Sequence, residues 1–258
     1  MKRTDLSQNG DLETAAVIHP AEGSVYGRVP AEHRMEVFVN EQLAMWVVCT
    51  PEHLDELVIG RLLTEGLIRS PEEIRQLYIC ERGLTCRVWL EDGISWQPSA
   101  SMAATVSTCC TDNRVLAERR TEELPAVSPV RWEPSWLLDA AARMQEGEPL
   151  YSLTHATHAC YLGSGGSVLC CREDIGRHNA LDKAVGYGIL SGADLSACWL
   201  FTTGRMPADM VTKAVRAGIP LLASKTWPTD RGIAIAGQTG LTLVTVRREK
   251  DLVVWTDR

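Results

Sequence analysis

Arg172-Glu173-Asp174-Ile175-Gly176-Arg177-His178-Asn179-Ala180-Leu181-Asp182-Lys183 is the stretch around which the chain is organised. Its first seven residues hold two arginines, two carboxylates and a histidine. A strand-like run, Ser167 to Cys171, leads into it. An amphipathic helix follows, because Leu181, Ala184, Val185, Gly188 and Ile189 recur at the spacing of one helical face. Asn179 is placed to cap that helix, with Asp182 three residues on, close to a capping box. A dense group of titratable side chains therefore sits on a strand-to-helix turn, where open α/β sheets bind ligands. The competing reading is a solvated, salt-bridged turn.

The neighbouring segments extend the pattern. Upstream, a helix runs from Ser135 to Met144, and the apolar runs 158–162 and 167–171 form a hairpin across Gly163-Ser164-Gly165-Gly166. Downstream come a buried strand 197–201, a helix 207–217 ended by Gly218, a strand 219–224, a short helix, and a strand 240–244. Alternating strands and helices predict an α/β domain: a mixed, mostly parallel sheet with helices on both faces. The loops 172–178, 202–206 and 225–229 then leave the same strand ends. They gather Arg172, Arg177, Arg205 and Lys225 with hydroxyls and helix N-termini, a combination that suits a phosphate-bearing ligand. His155, His158 and Cys160 have the character of metal ligands, but a fourth ligand and a CxxC pair are missing, so no bound metal is expected. Hydrogen-bonded pocket histidines are the expectation instead.

Toward the N-terminus, residues 1–30 read as a polar arm and irregular chain. A hairpin (35–39 with 43–49) follows, then a helix opened by Thr50-Pro51 and closed by Gly66, a short helix at Ser70-Pro71-Glu72-Glu73, and two paired strands, 77–80 and 85–90. From Asp92 to Pro134 the pattern weakens into small residues, then charges, then prolines. The expected organisation is a smaller N-terminal α+β domain (1–96), a mobile cysteine loop and linker (97–130), and the α/β ligand-binding domain (131–258).

Composition narrows the function classes. The chain has 258 residues, 45% of them hydrophobic, and a net charge of −7, which argues against non-specific nucleic-acid binding. Its nine cysteines are irregularly spaced, and Met1 to Pro20 has no signal-peptide core. No apolar run is long enough to span a membrane. The expectation is a cytoplasmic protein with reduced thiols.

Glu173-Asp174-Ile175-Gly176-Arg177-His178-Asn179-Ala180-Leu181-Asp182-Lys183 resembles the signature of the formate dehydrogenase accessory proteins, the FdhD family of sulfurtransferases. Val39-Asn40-Glu41, Leu63-Thr64-Glu65-Gly66, Thr154-His155-Ala156, Gly204-Arg205 and Met210-Val211-Thr212-Lys213 are similar to further family patterns. The resemblance implies a cytidine-deaminase-like sheet and a homodimer. It also implies transfer of sulfur from a cysteine desulfurase to the molybdenum or tungsten bis-pterin guanine dinucleotide of formate dehydrogenase, bound as a substrate. Family members carry Ser-Cys-Gly-x-Cys-Gly in the sulfur loop; here Cys109 matches the first cysteine, Cys110 stands at a glycine, and Asp112 replaces the second cysteine. Cys109 is thus the implied persulfide carrier. The implied cofactor-binding set is His155, Arg172, Asp174, Arg177, His178, Thr203, Gly204, Arg205 and Lys225, with a family binding segment mapping onto Val246, Arg247, Arg248, Glu249, Lys250 and Asp251. Two other classes fit the same residues: a carrier or chaperone of that cofactor without sulfur transfer, and a nucleotide enzyme using Asp174 or His178 as base.

Overall fold

The structure is a computed structural model and describes residues 1–7, 13–19, 23–94, 96, 114–115, 124–247 and 251–257. The N-terminal region is built from β1 (Lys2–Asp5), β4 (His33–Val39), β5 (Gln42–Cys49), β6 (Ile74–Ile79), β7 (Thr85–Leu90) and β8 (Arg114–Val115), after the separate hairpin of β2 (Glu13–His19) and β3 (Gly23–Val29). Strand order is β1-β6-β7-β4-β5-β8. Alternation makes the strands: Met35, Val37 and Val39 point inward along β4, and Cys86, Val88 and Leu90 along β7. The expected arm at 1–30 is corrected to three strands. β1 gains its partner from β6, more than 70 residues away, a pairing no local pattern announces. The helix α1 (Leu54–Thr64) starts later than expected, with His53 rather than Thr50 at its N-cap. Ser70-Pro71-Glu72-Glu73 gives only a 3₁₀ turn.

The C-terminal region holds α2 (Pro134–Glu146), α3 (Pro149–Thr154), β9 (His158–Ser164), β10 (Ser167–Asp174), α4 (Arg177–Ser191), β11 (Cys198–Thr202), α5 (Ala208–Arg216), β12 (Leu221–Ser224), α6 (Asp230–Thr239), β13 (Thr242–Arg247) and β14 (Asp251–Thr256). Strand order is β10-β9-β11-β12-β13-β14. The sheet is mixed: β11, β12 and β13 are parallel, and the other pairings are antiparallel. β11 and β12 are buried on both faces, as strands between two helical layers must be. Cys160, Leu162, Leu200, Leu222 and Leu243 face the core shared with α4, α5 and the N-terminal region. Tyr161, Trp199, Phe201, Ala223 and Val244 face α2 on the other side.

The two regions meet where α1 crosses α4. A Cβ at Gly60 would fall on the carbonyl oxygen of Asp182, and one at Gly186 on that of Glu56, so glycine alone permits this approach. The buried seam is polar. Asp182 accepts from Arg61 Nε at 2.8 Å, Thr64 Oγ1 at 2.6 Å and Lys213 Nζ at 3.0 Å. Asp174 accepts from the Thr50 amide at 3.0 Å and from Asn179 Nδ2 at 2.7 Å, and its other close partner is Lys183 Nζ at 2.7 Å. Each buried charge is paired and hydrogen-bonded, the condition for tolerating charge away from water. Asn179 does not cap α4, which begins at Arg177. Its amide instead donates to Val48 O and accepts from Arg61, in the seam.

Candidate functional site

Strand directions place the site. β10 and β9 are antiparallel, as are β9 and β11, so β10 runs with β11, β12 and β13. Their carboxyl ends, the start of β9 and the start of β14 all open on one edge of the sheet. The loops after β11 and β12 are stitched together there. The Gly204 carbonyl accepts from Ser224 Oγ and Thr226 Oγ1, both at 2.7 Å, and Met206 bridges to Pro228. A cleft of about 400 Å³ lies at this edge, its polar lining including Glu148, His155, Thr157, His158, Thr203 and Lys225.

Two hydrogen bonds hold the floor: Thr203 Oγ1 accepts from the Ala159 amide at 3.0 Å and lies 3.3 Å from His158 Nδ1. Burial first, then the nearby charges of Arg177, Lys225 and His178, holds the His158 imidazole below its ordinary pKa. It is therefore a neutral hydrogen-bonding group at neutral pH, in a locally cationic setting. Glu173 anchors one wall from behind. Its carboxylate accepts from the Leu150 and Tyr151 amides at 2.8 and 2.6 Å and from Thr157 Oγ1 at 3.1 Å, fixing the N-terminus of α3 and with it His155, which closes that helix. Sequence reading did not single out Glu173 as a positioning residue; its place opposite Ala159 follows from an irregularity between Val168 and Cys170 in the β9–β10 pairing, which the sequence does not announce.

The residues expected to form the site divide. His155, Thr203 and Lys225 line the cleft. Arg205 is exposed on the adjoining loop, and Gly204 is buried against the Arg177 stem, which a Cβ there would strike. His178 is buried with Nε2 2.9 Å from Asp209 Oδ2, tying α4 to α5 behind the loop. Arg172 is not brought to the cleft: it forms a two-point pair with Glu56 at 2.5 and 2.8 Å and lies over the Tyr187 ring, binding sheet to α1 and α4. Asp174 is likewise committed to the seam and sits fully buried. Val246 is in the core facing α2, whereas Arg247 lies over Trp227 and Asp251 is exposed opposite Arg247. Arg248, Glu249, Lys250, Cys109, Cys110 and Asp112 lie outside the described residues.

The described cysteines are Cys49, Cys80, Cys86, Cys160, Cys170, Cys171 and Cys198, all as free thiols. Burial pushes the Cys170 and Cys171 thiols up to about 12 and Cys198 to about 11, and raises Cys49, Cys86 and Cys160 as well. These six are poor thiolates. Among the described residues no cluster of three or more His, Cys, Asp or Glu is arranged to hold a metal ion. No helix among them is long and apolar enough to cross a membrane.

Residues 30–258 match the profile of the FdhD/NarQ family. The chain belongs to that family. A curated relative from Bacillus subtilis, named sulfur carrier protein FdhD, is 30% identical over 90% of this chain and 89% of its own length. One of the same name from Shouchella clausii is 28% identical over 88% and 87%. A crystal structure of a candidate formate dehydrogenase accessory protein from Desulfotalea psychrophila superposes with a TM-score of 0.76 at 28% identity, covering 96% of this chain and 97% of that one. The segment 173–183 thus has two jobs here: Asp174, Asn179, Asp182 and Lys183 hold the seam, while Glu173 anchors α3 beside the cleft and Ile175 lines it.

Proposed function

We propose that this protein takes sulfur onto Cys109 from a cysteine desulfurase and passes it to the molybdenum or tungsten bis-pterin guanine dinucleotide cofactor before that cofactor enters formate dehydrogenase. What carries the reading is membership of a family whose curated relatives are named sulfur carriers. In the first step the Cys109 thiolate attacks the outer sulfur of the desulfurase persulfide, a Cys109 persulfide forms, and the desulfurase leaves as thiolate. In this reading Lys225 in the cleft and exposed Arg205 on the adjoining loop take the cofactor's phosphates, the buried Arg177 adds positive charge next to His158, and His158 and Thr203 supply neutral hydrogen-bonding groups. Burial raises the thiols of Cys49, Cys86, Cys160, Cys170, Cys171 and Cys198, which makes these six poor rivals to Cys109, since only a thiolate attacks.

Asp112 favours a second reading. Asp112 removes the thiol at the family spacing, and the adjacent Cys110 is a poor substitute because a vicinal disulfide is strained, so a protein that only carries or chaperones the cofactor fits the same cleft. Maturation of formate dehydrogenase in cells lacking their own copy of this protein separates the two. The transferase reading expects no activity from Cys109→Ser and equal or higher activity from Asp112→Cys; full activity from Cys109→Ser leaves the carrier reading. A homodimer is part of the proposal and is read by light scattering at micromolar protein.

A further inference from the structure

Trp227 is 52% exposed, the most exposed large apolar side chain among the described residues. A single exposed aromatic ring is ordinary on a protein surface, but this one is held in place. Trp255 meets it edge-on with ring centroids 4.9 Å apart. Trp255 in turn donates from Nε1 to Thr245 Oγ1 at 3.0 Å, and Thr245 Oγ1 donates to the Thr226 carbonyl at 3.1 Å, which closes the chain of contacts on Trp227's own loop. Pro228 pins the next position through its bridge to Met206. The indole is thus rigid and half in water, so little side-chain entropy remains to be lost when something flat lies against it.

Cations surround it. The Arg247 guanidinium lies 5.9 Å from the ring centroid, and exposed Arg205 is on the loop bridged to Pro228. Lys225, which lines the cleft, precedes Trp227 by two residues, about 7 Å of extended chain. A phosphate on Lys225 would therefore place the base of the same nucleotide near the indole. We infer that Trp227 is the stacking platform for the purine base of the bound cargo, on the face away from Arg247, which lies over the ring, with the phosphates toward Lys225 and Arg205. The inference rests on the phosphate-binding reading of the cleft and adds to it the group that recognises the base. Stacking tolerates different bases, because every base has a π-face.

The test is calorimetric titration of the full chain with GDP and, separately, with inorganic pyrophosphate, which has the anion and no base. Trp227→Ala should weaken GDP between about 5-fold and about 150-fold, the usual range for one lost base stack, and leave pyrophosphate within about twofold. Trp227→Phe should restore GDP binding to within about fivefold of the parent. GDP binding by Trp227→Ala equal to the parent overturns the platform and leaves the anion cleft standing. Equal loss of GDP and pyrophosphate also overturns it, since Trp227 would then only support the loop. A parent protein that binds neither ligand overturns both the platform and the cleft reading beneath it.

Discussion

Asp182→Ala tests whether the signature segment is a structural seam as well as a site edge. The carboxylate receives Arg61 at 2.8 Å, Thr64 at 2.6 Å and Lys213 at 3.0 and 3.1 Å. Its removal leaves two cations in the interior, Arg61 and Lys213, exposed by only 3% and 4%. Breaking a buried pair from one side costs about 3–5 kcal/mol. Arg61 keeps Asn179 at 2.7 Å and Lys213 keeps Glu65 at 2.7 Å, so the low end, about 3 kcal/mol, applies. For a chain of this length that corresponds to a fall in Tm of about 6–12 °C. Thermal unfolding followed by circular dichroism measures it. Asp92→Ala is the control: its pair with Arg75 at 3.2 Å is exposed on both sides and contributes under about 1 kcal/mol. An Asp182→Ala protein that melts within about 2 °C of the parent would refute the seam.

Two further predictions concern the cleft. Arg205→Ala should weaken guanine nucleotide binding more than tenfold, about 1.4 kcal/mol, in calorimetry, and unchanged affinity removes Arg205 from the site. Stability should also fall with acid. The folded state holds His158 below the ordinary value of 6.5, so between the folded and unfolded pKa values the unfolded chain binds more protons. Stability present above about pH 6.5 is lost as pH falls below it, and His53, lowered by burial and by Arg172, acts in the same direction. His158→Gln should flatten part of this decline in melts from about pH 8 to about pH 5.5; a slope identical to the parent's contradicts the assignment.

The β11-to-β13 half of the fold was legible because its signals are local. Buried apolar runs alternate with helices punctuated by Pro207, Gly218, Thr229 and Gly240, and the strands fall where those runs do. The loops at one sheet edge followed from that alternation, and with them the placement of Thr203 and Lys225. What was not legible depends on distant partners. Asn179 has the look of a cap, but its amide is taken by Val48, Arg61 and Asp174, and Arg172 is taken by Glu56, 116 residues away. Polar residues of one short motif look alike in sequence, and only the α1–α4 crossing decides which turn inward. Trp227 escaped for a simpler reason: a loop aromatic reads as core until its exposure is known, although Lys225-Thr226-Trp227-Pro228 after a buried strand was a usable signal.

Sulfur loading of the protein tests the central claim most directly. The purified chain is incubated with a cysteine desulfurase and sulfur-labelled cysteine, and protein-bound, reductant-releasable label is counted. The parent and Cys110→Ser should carry label, and Cys109→Ser should carry none, because only Cys109 has the carrier position and a thiolate must make the attack. Labelling of Cys109→Ser at the parent's level would contradict the account.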